Sequence, residues 1–338
     1  MKRRAVIEEA VGETRAAVYE GKKIVELYTW RWSDKGKPRA GDIFSGRISR
    51  IEPSLGAAFV ELGSGDDGFL KFSNAPGAPR LTEGKYINVF ITRDGEAGKG
   101  PVLKFEAMAD GTHKGPIKSK TLKEYLAERY TGISFDEAAV SSIDEAVEAE
   151  LAISGGGSIA IERTRALIAI DVDKGAANSG FDVSLAACEL IASQVRLRGL
   201  GGLFVIDFPN LRQVKQREKI YAAMQKAFEG DLEPIKIAPM SRFGTIEMTR
   251  AKTRLSLDET LTDKYGDPTP ETLALRGLRQ LEREGRSSGG AKLRLTLPEP
   301  AFAWLSDDTI GWREAMTTRL GARFTVVEGK TMSVDADR

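Results

Sequence analysis

At 338 residues the chain exceeds one ordinary hydrophobic core and is expected to divide into two or three domains. Its 41% hydrophobic and 29% charged residues suit a globular protein, and 50 basic against 49 acidic residues leave a net charge of +1, so affinity for nucleic acid must come from local clustering of cations. One cysteine, Cys188, and one histidine, His113, exclude an intramolecular disulfide framework, a cysteine-based zinc cluster within one chain, and mechanisms that need a histidine pair.

Residues 1–37 read as a strand pair, Arg15 to Tyr19 and Lys23 to Tyr28, joined by the turn Glu20-Gly21-Lys22. Over 38–108, segments of β-branched and aromatic residues recur between turns at Ile43 to Ile48, Ala57 to Leu62, Gly68 to Leu70, Ile87 to Thr92 and Val102 to Lys104; this pattern predicts a small closed OB-type barrel. Residues 109–150 read as a short helical connector, because Ser134-Phe-Asp-Glu137 has the form of a capping box and Ile143, Ala146, Val147 and Leu151 recur at helical spacing. Over 151–262, strands are expected at Ser158 to Glu162, Ala166 to Asp171, Gly202 to Asp207 and Pro234 to Ala238. Helices are expected from an Asp182 N-cap to Arg198 and from about residue 211 to 228. A linker at Asp263 to Pro270 leads into 263–338, a charged helix and a strand, helix, strand pattern that make a small α/β domain. The fold class is multidomain α+β. No apolar run approaches the ~20 residues of a membrane span, and Met1-Lys-Arg-Arg-Ala-Val-Ile lacks a signal-peptide core, so a cytoplasmic protein with no membrane partner is expected.

Two apolar runs end in carboxylates, Ala166-Leu-Ile-Ala-Ile-Asp171-Val-Asp173 and Gly202-Leu-Phe-Val-Ile-Asp207. Such runs read as strands buried on both faces, where an unpaired Asp is out of place. A strand, helix, strand order implies a right-handed crossover between parallel neighbours, which would bring Asp171 and Asp207 to one sheet edge. At an effective dielectric of about 20, two bare charges ~4 Å apart repel by roughly 4 kcal/mol, and a shared divalent cation would reverse this. The alternative is that each Asp caps the following helix. Asp173, two residues on from Asp171 in an extended strand, faces the same way.

An oxygen-only donor set suits Mg2+, with Mn2+ as a substitute. The chemistry it supports is attack of a metal-bound water on a phosphate. Asp171 and Asp207 would be the metal ligands, Asp173 a further ligand or water-orienting group, and Arg242 or Lys174 would balance charge on the phosphate. In the barrel, Phe59 and Phe69 are candidate stacking rings for single-stranded nucleic acid, with Arg47, Arg50, Lys71, Arg93 and Lys99 as candidate cations; either phenylalanine taken alone reads as core. A second basic cluster, Arg242, Arg250, Lys252 and Arg254, reads either as nucleic-acid-facing or as a solvated face.

The sequence resembles the bacterial ribonuclease E/G family. Gly41-Asp-Ile-Phe-Ser-Gly-Arg-Ile-Ser-Arg-Ile-Glu-Pro-Ser-Leu-Gly-Ala-Ala-Phe-Val60 and Asp67-Gly-Phe-Leu70 are similar to its S1-type OB domain. Gly155-Gly-Gly-Ser-Ile, Ala169-Ile-Asp-Val-Asp173, the stretch Val195 to Phe208, and Ser241-Arg-Phe-Gly-Thr-Ile-Glu-Met-Thr-Arg250 are similar to its DNase I-like catalytic subdomain. The resemblance implies a magnesium-dependent endoribonuclease acting on single-stranded RNA and leaving 5′-phosphate and 3′-hydroxyl ends. It implies metal binding by Asp171 and Asp207, and RNA contacts by Phe59, Phe69 and Lys99, with Arg93 at another basic position.

The pattern departs from the family at three places. Asp173 stands where the family usually has Asn. About fifty residues replace a long insertion that holds most of a ribonuclease H-like subdomain and the 5′-monophosphate sensor. Lys264-Tyr-Gly-Asp-Pro-Thr-Pro270 replaces the Cys-Pro-x-Cys zinc link. A shortened member without 5′-end sensing and without zinc is therefore expected. A homodimer through the C-terminal domain remains compatible with the sequence, and no degradosome scaffold region is expected. The rival reading is a non-catalytic RNA-binding or ribosome-associated factor on the same fold, and a third is action on DNA.

Overall fold

The computed structural model describes residues 3–96, 98–211 and 213–337. Three strands open the chain in an antiparallel meander, β1 (Arg3–Ala10), β2 (Glu13–Glu20) and β3 (Lys23–Arg31), where the sequence predicts a pair. The period-2 signature is missing from β1 because both of its faces are covered. Ala5 and Ile7 pack into one apolar cluster and Val6 into another.

The strands β4 (Ile43–Glu52), β5 (Ala57–Glu61), β6 (Gly68–Lys71), β7 (Tyr86–Arg93) and β8 (Val102–Met108) run in the order β5-β6-β8-β7-β4, and β4 pairs back onto β5. This closes the expected OB-like barrel around Phe44, Ile48, Val60, Leu70, Val89 and Leu103. Gly68 is required there, since a Cβ would sit 2.5 Å from Leu103. A further strand, β9 (Gly115–Lys118), lies along the outer side of β4.

The segment that follows is not a helical connector. Its true helix is α1 (Leu122–Arg129), capped reciprocally by Thr121 and Glu124. Ser134 to Glu137, the expected capping box, is instead strand β10 (Ser134–Glu137), parallel to β1. Its local helix signal loses because Ile133 and Phe135 are drawn into the cluster that α1 forms with β1 and β2. Then come a single helical turn, α2 (Ser142–Glu145), and β11 (Glu150–Ala152), so Leu151 is a strand residue. The stretch thus completes a four-stranded sheet, β10-β1-β2-β3, with Leu122 and Leu126 against one face and Val140 and Ile143 against the other.

The third sheet continues with β12 (Ser158–Arg163), β13 (Ile168–Asp173), β14 (Gly202–Asp207), β15 (Ile235–Ile237) and β16 (Thr245–Arg250), in the order β11-β12-β13-β14-β16-β15. One face is covered by α3 (Gly180–Arg198) and α4 (Val214–Ala227). Ser179, not Asp182, caps α3, its Oγ accepting from the Asp182 N–H at 3.2 Å. The start expected for α4 at 211 gives way to Val214, residue 212 lying outside the described residues. Gly199 ends α3 at φ 68°, and a Cβ there would lie 2.4 Å from the Arg254 guanidinium, so two separate demands select glycine.

After α5 (Leu257–Leu261) and a closed turn at Asp263, α6 (Pro270–Ser287) leads into β17 (Lys292–Pro298), α7 (Glu299–Ser306), α8 (Trp312–Leu320), β18 (Phe324–Gly329) and β19 (Ser333–Asp337). Here β17 is central, with β18 parallel and β19 antiparallel to it. This unit is clamped to the first sheet. Arg279 pairs with Glu13 and, at 2.8 Å, with Asp144, and Arg31 bonds Glu271 at 3.0 Å. Gly12, at φ 88°, lies so close to α6 that a Cβ would be 2.3 Å from Leu275. Gly12→Ala is therefore expected to lower the unfolding free energy by about 1–3 kcal/mol, as read by urea denaturation. An unchanged midpoint would show that the clamp tolerates displacement.

Candidate active site

The strands β13 and β14 are adjacent and parallel, with Asp171 directly opposite Asp207. Neighbouring strands stand about 4.8 Å apart, so the two carboxylates occupy one patch. The sheet is not buried on both faces as the apolar runs suggest. Ile168, Ile170 and Val172 of β13, and Phe204 and Ile206 of β14, face the helices, whereas Asp171, Asp173 and Asp207 are exposed on the opposite, open face. Neither aspartate caps a helix, because Ser179 caps α3 and α4 has no side-chain cap. What makes the pair unusual is charge. Register also places Glu150, Glu162 and Glu247 on this face, against Lys236.

The consequence is visible in Asp171, whose carboxyl is held above the usual carboxylate range by partial withdrawal from water and then by the charges of Asp207 and Asp173. Among the described residues no ion pair reaches Asp171, Asp173 or Asp207. Asp173 accepts from the Gly175 N–H at 2.9 Å, which commits one of its oxygens to the following loop. Gly157 shapes the same end, since a Cβ there would lie 2.3 Å from the Asp173 carbonyl oxygen. Lys174 hooks onto its own loop, donating to the Ala177 carbonyl at 3.1 Å.

On the other side of Asp207 runs β16, with Thr245 opposite the aspartate, and the turn before it is tightly built. The Ser241 hydroxyl accepts from the N–H groups of Phe243 at 3.2 Å and Thr245 at 3.3 Å, and Phe208 N–H donates to the Gly244 carbonyl at 3.3 Å. Arg242 is exposed there, its guanidinium 4.9 Å from the Phe243 ring centre. The rest of the second basic cluster turns inward. Arg250 is buried and bonds Asp231 at 3.0 Å and the Leu200 carbonyl at 2.8 Å; its alternation with exposed Thr249 puts it on the helix-covered face, so it is not an RNA-facing residue. Lys252 pairs with Glu259 and Glu96, and Arg254 lies over the Tyr28 ring at 4.1 Å.

In the barrel, Phe59 and Phe69 are cross-strand partners, with ring centres 5.6 Å apart. Neither belongs to the barrel core, which takes Ala58, Val60 and Leu70 instead, and both are half-buried on the outer surface. Arg50 lies over Phe59 at 4.4 Å. Arg47, Lys71 and Lys104 are exposed on strands around this pair, Lys104 being one the sequence does not single out. Lys99 is exposed on a loop closed by reciprocal backbone bonds with Glu96, and Arg93 is half-buried at the end of β7. This loop docks on residues 252–255, where Asp94 accepts from the Leu255 N–H at 3.0 Å. That anchor is beyond the far end of β16 from Asp207, about 17 Å of strand away. The rings and their cations thus belong to the barrel, and the carboxylates to the third sheet.

The fold and site define a protein that joins an OB-like barrel to an α/β sheet with paired carboxylates on its open face. Residues 106–253 match the Ribonuclease E/G family. Ribonuclease E of Escherichia coli (strain K12) is 32% identical over 209 residues, covering 57% of this chain and 20% of that protein. A chloroplastic ribonuclease E/G-like protein of Arabidopsis thaliana is 36% identical over 128 residues, covering 34% and 13%. Ribonuclease G of Escherichia coli (strain K12) is 28% identical over 170 residues, covering 48% and 34%. The match thus spans a fifth to a third of the length of the two Escherichia coli relatives. Among the described residues no helix is long and apolar enough to cross a membrane.

A raised Asp171 pKa means that its ionised form weakens the fold above the unfolded value near 3.8, and that this penalty disappears below it. In chelator, Asp171→Asn is expected to raise the Tm at neutral pH by about 1–2 °C, with the gain shrinking as the pH falls toward 4. No gain at neutral pH would show that the charge is already compensated.

Proposed function

We propose that this chain is a metal-dependent endoribonuclease that cleaves single-stranded RNA in RNA processing or decay. The observation that carries the reading is the pairing of Asp171 with Asp207 on adjacent parallel strands, on a face with too few cations to balance them. The relatives named ribonuclease support it. Among the described residues no set of three or more His, Cys, Asp or Glu side chains converges on a metal. Two carboxylates with no basic partner fit Mg2+, which binds through one or two carboxylates and keeps several waters; Mn2+ would serve the same donors. When bound, the ion would supply a nucleophilic water at neutral pH and neutralise phosphate charge.

The chain's own residues supply the rest. Asp171 and Asp207 hold the cation, and the free oxygen of Asp173 orients water beside it. Arg242, exposed next to Asp207, meets phosphate charge, a task for which Lys174 is less suited because its ammonium group is already engaged. Phe59 and Phe69 offer stacking faces for unpaired bases, with Arg47, Arg50, Lys71 and Lys99 for the backbone and Arg93 at the rim. In this reading the barrel is S1-like, the third sheet is DNase I-like, and cleavage leaves 5′-phosphate ends without sensing the 5′ terminus.

An internally labelled, unstructured RNA should be cut by the wild type in Mg2+, with the rate reduced on the order of a hundredfold or more in Asp171→Asn and in Asp207→Asn. Substrates with 5′-hydroxyl and 5′-monophosphate ends should be cut alike. Equal residual cutting by all three proteins, or binding without cutting, would favour the RNA-binding factor. Separately, Phe59→Ala should weaken RNA binding about tenfold without changing the Tm, within the ~1–3 kcal/mol that stacking contributes per base. Early melting with unchanged affinity would make Phe59 a structural residue.

A further inference from the structure

The turn at 241–244 holds an aromatic side chain outward beside the carboxylate pair. Phe243 is 77% exposed, which for a phenylalanine in an ordered, well-bonded turn is a poor use of its apolar surface. The turn is not loose. Beyond the Ser241 bonds already described, the Ser241 N–H donates to the Thr245 carbonyl at 2.8 Å, the Gly244 N–H donates to the Ser241 carbonyl at 3.2 Å, and the Ser241 and Thr245 hydroxyls bond each other at 2.8 Å. Gly244 takes φ 93°, a region that disfavours side chains, and a Cβ there would press on the Phe208 carbonyl at 3.3 Å. The ring is therefore presented by a fixed backbone, with the Arg242 guanidinium 4.9 Å from its centre. Phe243 is two residues from Thr245, the partner of Asp207, so its backbone lies within about 7 Å of chain from the carboxylate pair.

We infer that Phe243, backed by Arg242, is a second stacking platform that takes an unpaired RNA base immediately beside the scissile phosphate and so fixes where the strand is cut. A ring accepts any base face, and a guanidinium beside it meets the adjoining phosphate in the same step. The barrel rings belong to a separate unit, docked through Asp94 beyond the far end of β16, and grip the strand rather than set its register. The inference rests on the reading of the chain as a single-strand ribonuclease and adds the residue that would set its register.

The test uses the full chain and a single-stranded RNA decamer carrying 2-aminopurine at successive positions. Binding without Mg2+ is read by fluorescence, and cleavage sites in Mg2+ are read at nucleotide resolution. Wild type should quench one position strongly, and Phe243→Ala should lose that quench, raise the KM about tenfold and scatter the cuts over neighbouring bonds. Phe243→Trp should restore both quench and cut position, which a merely structural residue would not require. Unchanged quenching and an unchanged cleavage pattern in Phe243→Ala, or no RNA binding by wild type, would overturn the inference. A quench that depends on Phe243 in a protein that never cuts would retain the platform and remove the ribonuclease reading.

Discussion

The register between β13 and β14 governs what the molecule can do, because in a strand the side-chain period is two and a slip of one residue inverts every face. Were Asp171 set against Ile206 instead of Asp207, one carboxylate would be driven under α3 and α4 and the other left alone in water. The register is secured from below. Ile170 and Ile206, paired across the two strands, are buried with Val183, Ala187 and Ile191 of α3, so a slip would expose the apolar side as surely as it buried the acidic one. The repulsion between Asp171 and its neighbours is thus imposed by the core, whose buried isoleucines and phenylalanine outweigh it.

Units around this sheet are fixed by buried ionic contacts rather than by apolar surface alone. Glu26 of β3 is buried with its carboxyl held below the ordinary range; burial opposes this, but the charges of Arg129 and Arg254 outweigh it. Arg129 also bonds Glu233 at 2.9 Å, and Thr253 donates to the same carboxylate at 3.0 Å. These contacts tie the first sheet, α1 and the end of β16 together, and the barrel loop docks on that same stretch through Asp94. Such pairs add little net stability over apolar replacements, but each is strongly destabilising to break by halves, so they fix orientation. Cys188, by contrast, is inert: it is buried against α4, and its thiol is pushed up to about 12.

Strand existence was legible wherever one face is wet, as in β4 to β8, and the crossover through α3 followed from element order alone. Legibility failed where both faces are covered or where a local motif competes. Both sides of β1 are enclosed, and the Ser134 to Glu137 box carried a helix signal that tertiary pairing with β1 overrode. For the site, the spacing of Asp171, Asp173 and Asp207 located the carboxylates, although the premise of doubly buried strands was mistaken and their exposure comes from strict alternation. Arg250 could not be told from Arg242 by composition; only the parity of its position in β16 sends it inward. The exposure of Phe243 left no mark in periodicity, since turns have none.

The clamp between the first sheet and α6 also bears on how the chain is made. Glu13 is buried, and besides Arg15 at 3.9 Å its closest cationic partner, Arg279, lies 266 residues further along. At about 5–20 residues per second of synthesis, that carboxylate waits roughly 15–50 s for Arg279, and β1 waits for β10 before its second edge is paired. The N-terminal sheet therefore emerges from the ribosome with an open strand edge until β10 follows, and with its clamp to α6 unmade until Arg279 follows. Until β10 is in place, the open edge of β1 is the part of the nascent chain most exposed to pairing with other strands.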